Sequence, residues 1–144
     1  MNATAQLYTP ELLGLAVTLA DYPYDPSFPM QGQARSASCG STMDLGFVLD
    51  RASRIESIGM KVHACAVGQA AAAVFAAQAN GLRVDDIERV HDALSHWLAG
   101  EGKLPDWSGL SIIEPARAFP GRHGAIMLPW RAALQALSNI RRAR

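Results

Sequence analysis

The residues of this sequence best suited to chemistry are its two cysteines, Cys39 and Cys65. Cys39 lies in the small-residue stretch Ser38-Cys39-Gly40-Ser41, and Cys65 lies where a strand pattern gives way to an alanine-rich helix pattern. A thiol at a helix N-terminus meets unpaired backbone N–H groups and the positive end of the helix dipole, which both favour the thiolate. The thiolate is the form that binds metal or attacks sulfur. Cys65 is therefore predicted to be a reactive position.

A histidine accompanies the second cysteine, because His63 stands two positions before Cys65. Strand alternation places both side chains on one face if the strand runs to its end, so a nitrogen ligand is predicted beside the sulfur. The two cysteines form no CxxC pair, and they give no four-ligand zinc motif. Free cysteine is also among the most buried residue types, so packing of both thiols as small apolar groups stays an open alternative.

The strands that position Cys39 are predicted from alternation. Apolar residues alternate with small or polar ones over residues 42–49 and again over residues 57–64, with a turn at Asp50-Arg51-Ala52-Ser53 between them. Period-2 patterning is typical of half-buried strands, so the two segments predict a β-hairpin. A lone hairpin is marginally stable. Residues 30–38 are therefore assigned as a third, weaker strand.

Helical patterns lie on both sides of these strands. Thr9-Pro10-Glu11 predicts the start of a first helix, since it combines an N-cap hydroxyl, a proline and an acidic first turn. A second helix is predicted from Cys65 to Asn80-Gly81, and a third from the apolar spacing of Ile87 to Leu98. Residues 101–122 predict an irregular connection with a short turn near residues 110–113. Pro129 is predicted to open the last helix.

This order of elements predicts an α+β fold, with a small three-stranded antiparallel sheet and helices packed on one face, in one domain over residues 1–144. The 13 basic and 13 acidic residues cancel, so nucleic acid is not an expected partner. The longest apolar run, residues 65–79, is shorter than the ~20 residues of a membrane span. No basic leader precedes the first helix, and a cytoplasmic protein is expected.

In this order the features resemble the NifU/IscU/SufU family of iron-sulfur cluster assembly scaffolds. Cys39-Gly40 before an alternating strand resembles the first ligand loop of that family, and Ala64-Cys65 before a small-residue helix resembles the second. Phe119-Pro120-Gly121-Arg122 and Trp130-Arg131-Ala132 resemble the third ligand segment of the SufU subgroup. The resemblance covers nearly the whole chain.

In that family three cysteines and an aspartate hold a [2Fe-2S] cluster or a zinc ion, and a cysteine desulfurase supplies sulfur to the thiols. The resemblance implies that Cys39 and Cys65 are ligands here. Ser41 stands at the position of the aspartate and Ala125 at that of the third cysteine. Neither residue supplies an anionic donor, so the resemblance predicts a site with two ligands missing.

Two histidines, His63 and His123, are the candidate replacements for the missing ligands. Two cysteines and two histidines form a set that zinc accepts and that one class of iron-sulfur centre also uses. Otherwise the two thiolates leave open positions for a desulfurase, a second subunit or a small thiol.

The leading hypothesis is a carrier rather than a classical catalyst. It binds an iron-sulfur cluster, iron or zinc through Cys39 and Cys65, and it works with a cysteine desulfurase and apo-protein acceptors. Two alternatives stay open. Cys65 accepts sulfur as a persulfide from the desulfurase, or the fold serves as a metal-free interaction module of the assembly machinery.

Overall fold

The computed structural model describes the backbone of residues 7–143 and the side chains of residues 7–138. The helices and strands of this described part are, in chain order, α1 (Pro10–Val17), β1 (Met30–Arg35), β2 (Thr42–Leu49), β3 (Ile55–His63), α2 (Ala66–Ala79), α3 (Val84–Leu98), α4 (Leu110–Ile113) and α5 (His123–Ala143). A 3₁₀ segment at Thr18–Asp21 follows α1. A second, at Glu114–Ala118, follows α4, and a third, at Pro120–Arg122, precedes α5. Within residues 7–143 no helix is both long and apolar enough to cross a bilayer.

The three strands form one antiparallel sheet in the order β1-β2-β3. The turn between β2 and β3 is built by Asp50, whose side-chain oxygen accepts hydrogen bonds from the backbone N–H groups of Ala52 and Arg54. The predicted hairpin is therefore confirmed. The third strand is confirmed as well, although it ends at Arg35 rather than at Ser38. Residues 36–41 instead form the connecting loop that carries Cys39.

Helix α5 packs directly on the sheet, and small residues make this close approach possible. A Cβ atom at Gly32 of β1 would collide with the carbonyl oxygen of Ala132. Side chains of α5 also reach the open edge of β1. Gln135 accepts a hydrogen bond from the Gln33 N–H at 2.6 Å. Arg131 donates to the Arg35 carbonyl at 2.9 Å. These contacts fix α5 along β1, and with it the helix start that borders the Cys39 loop.

Three aromatic rings form the centre of the core between α2, α5 and the connection before α4. Phe75 stacks on Trp107 with 5.4 Å between ring centroids. Trp130 forms T-shaped pairs with both rings, with centroid distances of 5.3 Å to Phe75 and 5.2 Å to Trp107. T-shaped pairs are a favourable arrangement of aromatic rings. Among the described residues, no group forms a hydrogen bond with the buried Trp130 Nε1.

The start of the last helix was predicted at Pro129, and this prediction is wrong. Helix α5 begins at His123, so Pro129 lies inside it. Proline has no backbone N–H, so the carbonyl of Ala125 lacks its usual helical donor.

The α+β class with helices on one face of a three-stranded sheet is confirmed. The first three predicted helices are confirmed, although the first ends earlier, at Val17, and the third begins earlier, at Val84.

Candidate functional site

Cys39 lies in a tight loop, residues 36–41, between β1 and β2. The Ser36 N–H donates to the Ser41 carbonyl at 2.8 Å, and the Gly40 N–H donates to the Ser36 carbonyl at 2.9 Å. Gly40 has a φ of 71°, a left-handed conformation that glycine adopts without steric cost. The loop is thus closed by backbone hydrogen bonds and holds Cys39, half-buried, next to its turn.

The sulfur of Cys39 is surrounded by serine hydroxyls. Its Sγ–H donates to Ser36 Oγ at 3.3 Å. Ser41 Oγ lies 3.0 Å from the same sulfur, and either atom can be the donor. Ser36 and Ser41 are only 2% and 4% exposed, so few water molecules compete for their hydroxyl groups. When the thiol ionises, both hydroxyls can donate to the negative sulfur.

These surroundings lower the pKa of Cys39. Burial raises the pKa of Cys39. Hydrogen bonds from Ser36 and Ser41 and the positive charge of Arg122 lower it by a larger amount, so the net shift is downward. Arg122 donates to the Tyr8 hydroxyl at 3.2 Å. The hydroxyl group of Tyr8 thereby links the N-terminal segment to the cation that lowers the pKa of this thiol. A lowered pKa increases the thiolate fraction at neutral pH.

Cys65 is the N-cap residue of α2, as the alanine-rich pattern predicted. Its backbone is extended, with φ −65° and ψ 172°, and its carbonyl accepts the first helical hydrogen bond, from the Gln69 N–H at 3.0 Å. The Cys65 side chain makes no capping hydrogen bond. The half-buried Cys65 thiol therefore forms no hydrogen bond with the N–H groups at the start of α2.

The Cys39 loop and the start of α2 both pack against the start of α5. We call the three small residues at these contacts, Gly124 and Ala125 of α5 and Gly68 of α2, the small-residue seat. A Cβ atom at Gly124 would collide with Ser36 Oγ in the Cys39 loop. A Cβ atom at Gly68, in the first turn of α2, would lie 3.2 Å from the Ala125 Cβ. The first residues of α5 thus touch the Cys39 loop on one side and the start of α2 on the other.

The two predicted histidine ligands lie in different surroundings. His63 is the exposed last residue of β3, paired with Thr42. His123 is the first residue of α5, and its Nε2 lies 2.7 Å from the Arg117 carbonyl oxygen. A carbonyl can only accept, so Nε2 carries the hydrogen and Nδ1 is left as the nitrogen able to bind a metal. Ligating histidines commonly make this kind of hydrogen bond to a backbone carbonyl.

The predicted ligands do not form a ready-made metal site. Among the residues that the structure describes, no three His, Cys, Asp or Glu side chains form a group able to hold a metal ion. If both cysteines bind one ion, they supply two of the four donors of a tetrahedral site, and the described part of the chain offers no complete four-ligand site. Ligation by Cys39, Cys65, His63 and His123 therefore stays a prediction.

Comparison with known proteins gives a match in structure but none in sequence. No protein-family model and no curated protein matches the sequence. The crystal structure of a nitrogen-fixing NifU-like protein (N-terminal) from Brucella abortus superposes with a TM-score of 0.89 at 22% identity, covering 99% of this chain and 100% of that one. The chain has the NifU/SufU fold.

A second solved structure supports the same conclusion. It is a putative iron-sulfur cluster assembly scaffold protein for the SUF system from Fervidobacterium islandicum AW-1. Its TM-score is 0.77 at 21% identity, and the match covers 91% of this chain and 96% of that one. The resemblance read from the sequence is thus confirmed at the level of the fold.

In this NifU/SufU fold, the two positions that the resemblance assigns to the missing ligands both border the thiol segments. Ser41 Oγ is 3.0 Å from Cys39 Sγ. Ala125 is fully buried against Gly68, and Gly68 lies three positions after Cys65 in the sequence. The hydroxyl of Ser41 is a hydrogen-bond partner of the sulfur, and the methyl group of Ala125 is part of the packing. Hydrogen bonding and packing thus occur where the resemblance leads one to expect anionic donors.

The sequence analysis missed several residues of this site. Ser36, Tyr8 and Gly124 were not singled out, and Arg122 was named only within the segment that resembles the third ligand segment. One local signal was present, because Ser36, Ser38 and Ser41 surround Cys39 within six positions. Clustered hydroxyls next to a cysteine are the side chains that can stabilise a thiolate by hydrogen bonding. The contacts of Arg122 and Gly124 depend on the docking of α5, and no local pattern indicates them.

Proposed function

We propose that this chain is a scaffold-type carrier in iron-sulfur cluster assembly, which holds iron, zinc or a cluster as cargo through Cys39 and Cys65. The observation that carries the proposal is the small-residue seat, because the Cys39 loop and the start of α2 pack against adjacent residues of α5. The solved structure from Fervidobacterium islandicum AW-1, described as a scaffold for the SUF system, supports the same role.

Two thiolates leave a tetrahedral cargo ion with open coordination positions. We propose that other donors complete the set, namely a thiol of a cysteine desulfurase or of an apo-protein acceptor, or the His123 imidazole. His123 is favoured over His63 because its ring is held by the Arg117 carbonyl. A metal ion or cluster that is bound by only two ligands of the carrier is easily transferred to an acceptor. A reducing cytoplasm keeps both thiols free for this role.

Zinc binding tests the role of the two thiols. Structural zinc sites bind with about 10–16 kcal/mol at neutral pH, which averages about 2.5–4 kcal/mol for each of four ligands. Since about 1.4 kcal/mol corresponds to a factor of ten, Cys39→Ser and Cys65→Ser will each weaken zinc binding by about 100-fold. Competition with a chromogenic zinc chelator measures the affinities. Reconstitution with iron and sulfide, followed by absorption spectroscopy, tests for a cluster.

The matched control for these variants is His96→Ala. His96 is an exposed potential ligand whose ring pairs with Glu101 at 3.4 Å. Its removal will leave the zinc affinity unchanged. Equal metal content in the wild type and in a Cys39→Ser, Cys65→Ser double variant would contradict the proposed function.

The hydroxyl groups around Cys39 favour a second candidate function, acceptance of sulfur from a desulfurase persulfide. The Cys39 thiolate attacks the terminal sulfur, a new S–S bond forms at Cys39, and the desulfurase cysteine leaves as a thiolate with no net oxidation or reduction. The sequence pattern favours Cys65 for this role. The lowered pKa of Cys39 favours Cys39 instead.

Replacing the closest hydroxyl tests this second function. Ser41→Ala removes a hydrogen bond that favours the thiolate, so the pKa of Cys39 will rise. The midpoint of Cys39 alkylation will move to higher pH, and the rate at neutral pH will fall by about threefold to tenfold, the worth of one hydrogen bond. Mass spectrometry after timed iodoacetamide treatment follows each cysteine. An unchanged midpoint in Ser41→Ala would remove the support for Cys39 as the acceptor.

A further inference from the structure

Helix α5 begins with an unusual choice of residue, because Gly124 occupies its second position. Glycine lowers helix stability relative to alanine. Its φ is not in the left-handed region, so the backbone conformation does not require glycine. The requirement is space. A Cβ atom at Gly124 would collide with Ser36 Oγ and would lie 3.1 Å from Ser36 Cβ and 3.3 Å from Ser38 Oγ.

We infer that Gly124 is a positioning residue for Cys39, an inference that rests on the proposed function of this thiol. The contact passes through Ser36, which is bound to the loop at several points. Its N–H and carbonyl close the loop through Ser41 and Gly40. Its hydroxyl accepts from the Cys39 thiol at 3.3 Å and lies 3.2 Å from Ser38 Oγ. Whatever displaces Ser36 therefore moves the hydroxyls that surround the sulfur.

The same contact determines where the Cys39 loop lies relative to Cys65. Ala125, the next residue of α5, is buried against Gly68 in the first turn of α2. Adjacent residues of one helix therefore contact both thiol-bearing segments. A shift of Ser36 at Gly124 therefore also changes the position of the Cys39 loop relative to the start of α2.

Gly124→Ala tests this inference in the full chain. The added methyl group will push Ser36 away, the hydroxyl hydrogen bonds to Cys39 will lengthen, and the pH midpoint of Cys39 alkylation will rise. At neutral pH the alkylation rate of Cys39 will fall at least threefold relative to that of Cys65, which serves as the internal reference. Gly14→Ala in α1 is the matched control, since a Cβ atom at Gly14 meets no atom within 4 Å. It will leave the ratio unchanged.

A second variant keeps the test decisive if Gly124→Ala does not fold. Ser36→Ala removes the oxygen that the new methyl group would strike. The contacts that remain, 3.1 Å to the Cβ atom of residue 36 and 3.3 Å to Ser38 Oγ, require shifts of only a few tenths of an ångström. The double variant Gly124→Ala, Ser36→Ala will therefore fold and will have the same Cys39 alkylation profile as Ser36→Ala alone. A wild-type Cys39 profile in folded Gly124→Ala would overturn the inference. So would a double variant whose profile differs from that of Ser36→Ala.

Alkylation requires no cargo, so the outcome is independent of the proposed function. If the wild type binds neither zinc nor iron, the carrier proposal fails, yet the alkylation profiles still decide whether Gly124 positions Cys39. If zinc binding depends on both cysteines but Gly124→Ala behaves as the wild type, the carrier proposal stands and this inference fails.

Discussion

Trp130→Ala will lower the free energy of unfolding by about 3–5 kcal/mol, the usual cost of truncating a buried aromatic side chain. Trp130 is fully buried and forms T-shaped pairs with Phe75 and Trp107. Its removal leaves a cavity at the point where α5 packs against α2. Folded domains are stable by about 5–15 kcal/mol, so this loss removes a large part of the total. Urea denaturation followed by circular dichroism measures it.

Two further variants show whether the loss comes from the aromatic cluster. Val17→Ala, at a side chain that is 75% exposed, will change stability by less than about 0.5 kcal/mol. Trp130→Phe will cost less than Trp130→Ala, because it keeps a ring and removes an indole N–H that has no conventional partner. A loss below about 1 kcal/mol in Trp130→Ala would mean that the core collapses into the cavity and that α5 does not depend on the cluster.

The strands show what local sequence pattern can predict. Residues 42–49 alternate because one side of β2 faces the helices, and Met43, Leu45 and Phe47 are buried there as that pattern requires. The hairpin turn is equally local, since Asp50 makes its hydrogen bonds within four residues. Such features are set by neighbours in sequence, so the sequence alone was enough to predict them.

The last helix shows where local rules fail. Proline is favoured in the first turn of a helix, so Pro129 was taken as the start of α5. The structure instead continues the helix back to His123. The residues before Pro129 include Ala125 and Ile126, which are fully buried against other elements. The packing of this turn against other elements outweighs the hydrogen bond that is missing at Pro129. Rules of helix propensity do not take tertiary packing into account.

The candidate site divides in the same way. Both cysteines were located correctly at the ends of predicted elements, because a strand-to-helix junction and a serine-rich loop are local features. The environment of the Cys39 sulfur was not predictable, since Arg122 and Gly124 come from a segment far away in sequence. The pKa of Cys39 is therefore a property of the docked α5 helix as well as of its own loop. The prediction of a reactive Cys65 rested on a local feature, the helix N-terminus, and it stays a prediction.

Reinstating the two donors that the resemblance assigns to this site will raise zinc affinity by about 10⁴-fold, because each added ligand contributes about 2.5–4 kcal/mol, or roughly 100-fold. The variant is Ser41→Asp, Ala125→Cys. Ser41 already lies 3.0 Å from the Cys39 sulfur. Ala125 packs against Gly68 in the first turn of α2. The affinity is measured by competition with a zinc chelator at neutral pH.

The matched control for this gain is Ser41→Asp, Ala133→Cys, which places the second new thiol at another fully buried alanine of α5. It will gain no more than Ser41→Asp alone, because position 133 lies more than two helical turns from the seat. The comparison separates an added ligand from an added thiol. Equal affinity in the two double variants would mean that position 125 does not face the cargo, and that packing at the small-residue seat, rather than a vacated ligand position, explains Ala125.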